Sequence, residues 1–149
     1  MTHWRAGMTI TTGRLAVESA QNEDTTAGRT TTSTTYADAS GGPFSASVLV
    51  PASGMVWVNL RTTQRNSSTT NTITSWQGTG SISGSVYTPN DNAALIWSGN
   101  NVTNLSLSLR YRLSGLTPGE TLTVTTKHRV SGASTAIIDH RSIQLEGCP

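Results

Sequence analysis

Leu105-Ser106-Leu107-Ser108-Leu109-Arg110-Tyr111-Arg112-Leu113 is the stretch on which the fold turns. It alternates apolar and polar residues with period two. In an extended chain that places Leu105, Leu107, Leu109, Tyr111 and Leu113 on one face and Ser106, Ser108, Arg110 and Arg112 on the other. A helix would scatter both sets around its circumference. The pattern therefore predicts a half-buried antiparallel strand, wet on one side, and marks it as the best core strand of the chain.

The same period continues on both sides. Leu116-Thr117-Pro118-Gly119-Glu120 is a turn, after which Leu122, Val124, Thr126, His128 and Val130 face inward. Ser131-Gly132-Ala133-Ser134 turns again into a last strand over Ala136 to Leu145. Upstream, Phe44, Ala46, Val48 and Val50 share a face before the turn Pro51-Ala52-Ser53-Gly54. Val56, Val58 and Leu60 share the next, opposite Trp57, Asn59 and Arg61. A polar loop over Gln64 to Asn71 follows, then short strands at Ile73–Trp76, Ser81–Tyr87 and Ala93–Trp97. About eight strands at this spacing, with no helix to serve as a crossover, predict an antiparallel sandwich or barrel.

The N-terminal part reads differently. His3-Trp4-Arg5-Ala6-Gly7-Met8-Thr9-Ile10 is a compact apolar motif, whereas Asn22 to Thr34 has almost no large apolar residue. Low apolar content of this kind predicts a flexible linker. The expected organisation is an anchoring arm and linker over residues 1–34 and a β module over 35–149. Trp4, Met8, Ile10 and Leu15 are the candidate anchors. They sit in a segment too short to make a core, so a pocket on a partner is their natural place.

Only 34% of the 149 residues are hydrophobic, against about 45–50% in ordinary domains when Gly is included. A core this lean gains from oligomerising, because a partner completes the burial. Charged residues make up 12% of the chain and net to +2, so there is no basic stripe of the kind nucleic acid binding needs. Thr and Ser together supply 45 residues and carry the burden of solubility. No apolar run approaches the ~20 residues of a membrane span. Met1-Thr2-His3-Trp4 does not open a signal peptide. The single cysteine, Cys148, forms neither an internal disulfide nor a Cys-rich metal site.

Catalytic constellations are missing from the pattern. His128 falls on an inward face. Asp139-His140-Arg141 puts His140 on the face opposite its neighbours, which leaves Asp139 and Arg141 as a same-face ion pair. Asn90-Asp91-Asn92 lacks the glycine and distal glutamate of a calcium loop and reads as a turn. The chain is expected to be no enzyme, with no cofactor and no metal. Trp57, opposite the core face of its strand, and Trp97 are candidates for contact with a partner or a glycan.

Trp4-Arg5-Ala6-Gly7-Met8-Thr9-Ile10-Thr11 followed by Leu15, Thr35-Tyr36-Ala37-Asp38, Val50-Pro51-Ala52-Ser53-Gly54, Leu113-Ser114-Gly115-Leu116-Thr117-Pro118-Gly119 and Arg141-Ser142-Ile143 follow one another along the chain. In these the chain resembles small virion proteins of tailed actinobacterial phages. Its strand layout is also similar to the jelly rolls of the tumour-necrosis-factor and complement-globular-head type, which assemble as trimers. The resemblance implies an all-β, antiparallel jelly-roll sandwich behind an N-terminal arm. It implies a virion structural protein made in the host cytoplasm, a homotrimer that decorates the capsid or forms a head fibre. The partner would be the major capsid protein or another virion protein. A tail or baseplate fibre that binds host glycan is the alternative, and a free-standing carbohydrate-binding module a second.

Overall fold

The computed structural model describes residues 18–99 and 103–148. Its strands are β1 (Ser19–Asp24), β2 (Arg29–Thr31), β3 (Ser45–Leu49), β4 (Val56–Asn66), β5 (Thr72–Gly80), β6 (Gly84–Tyr87), β7 (Leu95–Trp97), β8 (Leu105–Leu113), β9 (Thr121–Val130) and β10 (Ala136–Gly147). They form two antiparallel sheets. One runs β1-β10-β4-β8, with β2 also on β10; the other runs β3-β9-β5-β6, with β7 also on β5. From β3 onward the chain passes repeatedly between the sheets, which makes the fold a jelly-roll sandwich. Among the described residues there is no α-helix, only a short 3-10 turn at Asp91–Ala93 capped by the Asn90 side chain.

Alternation decides what lies between the sheets. Val56, Val58 and Leu60 of β4 meet Leu122 and Val124 of β9, Trp76 of β5, and Ile143 and Leu145 of β10. Phe44, Ala46, Val48 and Val50 close this core from β3 and its flanks, on the face expected of them. At the far end a smaller apolar group joins Ala39, Val130, Ala136 and Ile138. Between the two groups the inward residues are polar and still buried: Thr62 and Gln64, Thr74, Thr126 and His128, and Arg141.

Two glycines are dictated by close approach. Gly54 has φ 66°, and a Cβ there would lie 2.7 Å from the Leu116 carbonyl oxygen. At Gly80 a Cβ would come 2.2 Å from the Glu120 carboxylate. That carboxylate is buried and accepts from the amides of Thr117 (2.8 Å), Ser83 (3.0 Å) and Ile82 (3.1 Å) and from the Ser83 hydroxyl (2.9 Å). These donors, the Ser83 amide foremost, hold its pKa below the usual carboxylate value against the opposing effect of burial.

Three expectations change. The stretch Asn22–Thr34, read as linker, holds the end of β1 and all of β2, both paired to β10. Edge strands with a wet outer face need few apolar residues, so poverty in them did not mean disorder. β8 is also an edge strand: Leu113 is buried, but Leu107, Leu109 and Tyr111 are only half-buried, and Leu105 is 46% exposed. Its alternation set which face points inward, whereas the number of neighbours set how much is covered. Lastly, a bulge between Ile138 and His140 separates Asp139 from Arg141. Asp139 pairs with Arg65 at 3.2 Å, while Arg141 turns inward to Asp24 at 2.9 Å.

Candidate functional site

The outer face of the β1-β10-β4-β8 sheet is a polar grid. Register places Ser19, Glu146, Trp57 and Arg112 in one row, Gln21, Gln144, Asn59 and Arg110 in the next, and Glu23, Ser142, Arg61 and Ser108 in a third. A concavity of about 470 Å³ lies over the last two rows, with His140 and Glu146 at its margins. Strand alternation, which buries the opposite residues, is what brings these side chains to one surface.

Charge divides across the grid. Glu23 and Glu146 lie on β1 and β10, while Arg61, Arg110 and Arg112 lie on β4 and β8. Three contacts hold the arrangement. His140 Nε2 is 2.8 Å from Glu23, Arg110 is 3.7 Å from Glu146, and the Arg110 guanidinium lies 4.3 Å from the centre of the Trp57 ring. The surface can recognise polar and charged groups by hydrogen bonding and ion pairing. It offers no nucleophile paired with a base.

Beside this face the sandwich has an open margin. At the opposite margin β1 packs on β3. Here β6 and β8 are the edges of their sheets, and Val86, Tyr87, Leu107, Leu109 and Tyr111 lie half covered against the core. Tyr87 stacks on buried Trp76 with ring centres 3.7 Å apart, and Tyr111 meets both at 5.5 and 5.4 Å. Together with exposed Leu105 they form an apolar seam along a strand edge that is unpaired among the described residues.

Trp57 stands on the outer face as expected, half-buried beneath Arg110. Trp97 does not reach the surface: it is 3% exposed, and its Nε1 donates to the Thr103 carbonyl at 3.1 Å. The anchor candidates Trp4, Met8, Ile10 and Leu15 lie outside the described residues. Asp91 is a structural partner. It accepts from Tyr36 Oη at 2.6 Å and from Arg129, donors that hold its pKa below the ordinary value. Burial and that bond to Asp91 push the Tyr36 hydroxyl up to about 12. Among the described residues no group of three or more His, Cys, Asp or Glu side chains could hold a metal ion, and no helix is long and apolar enough to cross a membrane. The grid itself was missed in the sequence, because rows across strands follow from register. The seam was missed because it follows from sheet order.

Comparison with family models finds no match, and comparison with curated proteins finds none. A solved structure, that of Eiger TNF from S. frugiperda, is similar at a TM-score of 0.54 and 13% identity, over 89% of this chain and 92% of that one. At that identity the likeness shows the fold. The chain has a TNF-like jelly roll.

Proposed function

We propose that the chain is a structural protein of a phage particle, a capsid-decorating or head-fibre protein. Its N-terminal arm binds the assembled shell through Trp4, Met8, Ile10 and Leu15, and its jelly roll stands as a homotrimer. The motif order in the sequence supports the virion role. The observation that carries assembly is the pair of surfaces, side by side, that are unpartnered among the described residues: an apolar seam on the β6 and β8 edges and a charge-divided face next to it. A heterologous contact sets the seam of one copy against the face of the next, and a ring of such contacts closes with cyclic symmetry. The mechanism is mass action, since whatever binds the assembled shell and not its parts shifts the balance toward the shell.

Deletion of residues 1–17 leaves β1 whole and tests the arm. The truncated protein should fold and keep its oligomeric state but fail to attach to particles. Continued attachment would sink the arm as anchor. In sedimentation, Leu109→Glu should turn trimers into monomers while the sandwich stays folded; a monomeric parent protein at micromolar concentration would sink the trimer. Trp57 favours the second reading, a tail or baseplate fibre that binds host glycan, because an outward aromatic over a polar grid is a sugar platform. Arg110 lies against that ring and would have to move aside. Glycan-array binding by the full chain, lost in Trp57→Ala, decides for that reading.

A further inference from the structure

Within the sandwich, Trp76 Nε1 in the apolar core has no hydrogen-bond partner among the described residues, and neither have three atoms of the polar band: Thr126 Oγ1, His128 Nε2 and Arg141 Nη1. Their side chains are 1%, 0% and 3% exposed. Thr126 and His128 are two apart on the inward face of β9, and Arg141 comes from β10 in the facing sheet. β9 and β10 pack against each other across the sandwich, and the charge of Arg141 acts on the His128 ring. A buried polar group without a partner costs free energy, so three such groups in one layer describe a binding site.

The surrounding bonds state what the site binds. Gln64 Nε2 donates to the carbonyls of Thr72 (3.2 Å) and Leu95 (3.1 Å), which fixes the amide and leaves Oε1 as acceptor. Thr74 gives its only hydroxyl proton to that Oε1, 2.6 Å away. Thr74 can then only accept from His128 Nδ1, at 2.8 Å, so the ring proton sits on Nδ1. His128 Nε2 is therefore a bare acceptor. Arg141 Nη1 can only donate, as every guanidinium nitrogen does, and it is the one left over once Nε and Nη2 are committed to Asp24 at 3.0 and 2.9 Å. The guest must accept from Arg141 and donate to His128. A halide or a fully deprotonated anion cannot donate, and an ammonium or metal cation cannot accept, whereas a water molecule does both.

We propose that this site holds one internal water, which bridges Arg141 of one sheet to His128 and Thr126 of the other. Three bonds are the usual complement of a buried water. The bridge would tie the sheets together beside the direct Thr74–Gln64 bond, in the layer where apolar packing is interrupted.

Two measurements on the full chain at neutral pH test this. Long-range proton–nitrogen NMR of the histidine rings should show His128 with its proton on Nδ1; an Nε2–H tautomer overturns the proposal. Oxygen-17 relaxation dispersion of the solvent should show a long-lived internal water whose contribution falls in Thr126→Val, a shape-preserving change that removes one of three bonds. An unchanged dispersion in a folded Thr126→Val protein overturns it. So does a crystal structure in which Arg141 Nη1 donates directly to His128 with no water between them.

Discussion

The inward faces of β4, β5, β9 and β10 carry two different interiors. In one half Val56, Val58, Leu60, Trp76, Leu122, Val124, Ile143 and Leu145 pack as a continuous apolar core. Further along the same strands Thr62, Gln64, Thr74, Thr126, His128 and Arg141 are equally buried; Thr62, Gln64, Thr74 and His128 are bonded in one network, and Arg141 is bonded to Asp24. Period and depth are the same, and only the chemistry changes. Apolar burial is non-directional and scales with area. In the polar band every donor needs a particular acceptor, so the band sets register between the sheets at the risk of a large penalty when one member is lost.

The sharpest way to break this comparison is to remove one member. Arg141→Met leaves Asp24, which has a 13% exposed side chain, without its inner partner. Breaking a buried pair from one side costs about 3–5 kcal/mol, and Arg29, 3.2 Å from the same carboxylate, holds the loss toward the lower end. Leu122→Ala, a fully buried truncation in the other half, should cost about 2–5 kcal/mol through lost transfer energy and cavity. Urea unfolding reads both. The halves would differ in kind if Asp24→Asn combined with Arg141→Met recovers much of the loss, since no second change so restores Leu122→Ala. If the double variant is as unstable as the single, Arg141 acts by packing on Phe44, 4.6 Å below its guanidinium, and the band is an apolar core in disguise.

How much of this was legible follows from where the information lies. Alternation alone placed Phe44, Val48, Val58, Leu122 and His128 inward and Trp57 outward, because facing is a local property of an extended chain. Alternation reads Leu105 to Leu113 as a strand, but it carries no sign that β8, among the described residues, has a neighbour on one side only. It paired Asp139 with Arg141 because a bulge leaves no mark in the residue pattern. Trp97, a candidate for partner or glycan contact in the sequence, is buried by the short β7 and donates to the carbonyl of Thr103. The candidate grid was invisible for a related reason: Gln21, Gln144, Asn59 and Arg110 are far apart in sequence and meet only through register.

Acid sharpens the comparison next. Burial, reinforced by the charges of Arg141 and Lys127 and only partly offset by Asp38, lowers the His128 pKa from 6.5 to about 3. The unfolded chain therefore takes up a proton at higher pH than the folded one. The contribution is fully present above pH 6.5 and is lost as pH falls from 6.5 toward 3, in total on the order of 5 kcal/mol. For Asp24 burial works upward, but the amide and hydroxyl of Thr26 and the Arg141 guanidinium outweigh it and bring the pKa to about 2. That contribution is present above 3.8 and disappears as pH falls from there toward 2. Urea midpoints followed from pH 7 to 4 should drop in the parent protein and in Leu122→Ala alike. They should flatten in His128→Gln. An equal slope in His128→Gln would remove the titrating group from the polar band.

The smallest expected effect is the most discriminating, because it exchanges the two chemistries at constant shape. Thr74→Val takes the 2.6 Å donor from Gln64 Oε1 and the acceptor from His128 Nδ1. Val124→Thr puts an unpartnered hydroxyl into the apolar half, at a position that is 0% exposed. Each should destabilise by about 1–3 kcal/mol, although the first makes the interior more apolar and the second more polar. Thr74→Val should also release the His128 tautomer, visible as a shift in the ring nitrogen resonances, which Val124→Thr leaves in place. If Thr74→Val were neutral or stabilising while Val124→Thr still destabilised, hydrophobicity alone would rank the interior. The network from Gln64 to His128 would then be a tolerated polarity instead of the element that holds the two sheets in register.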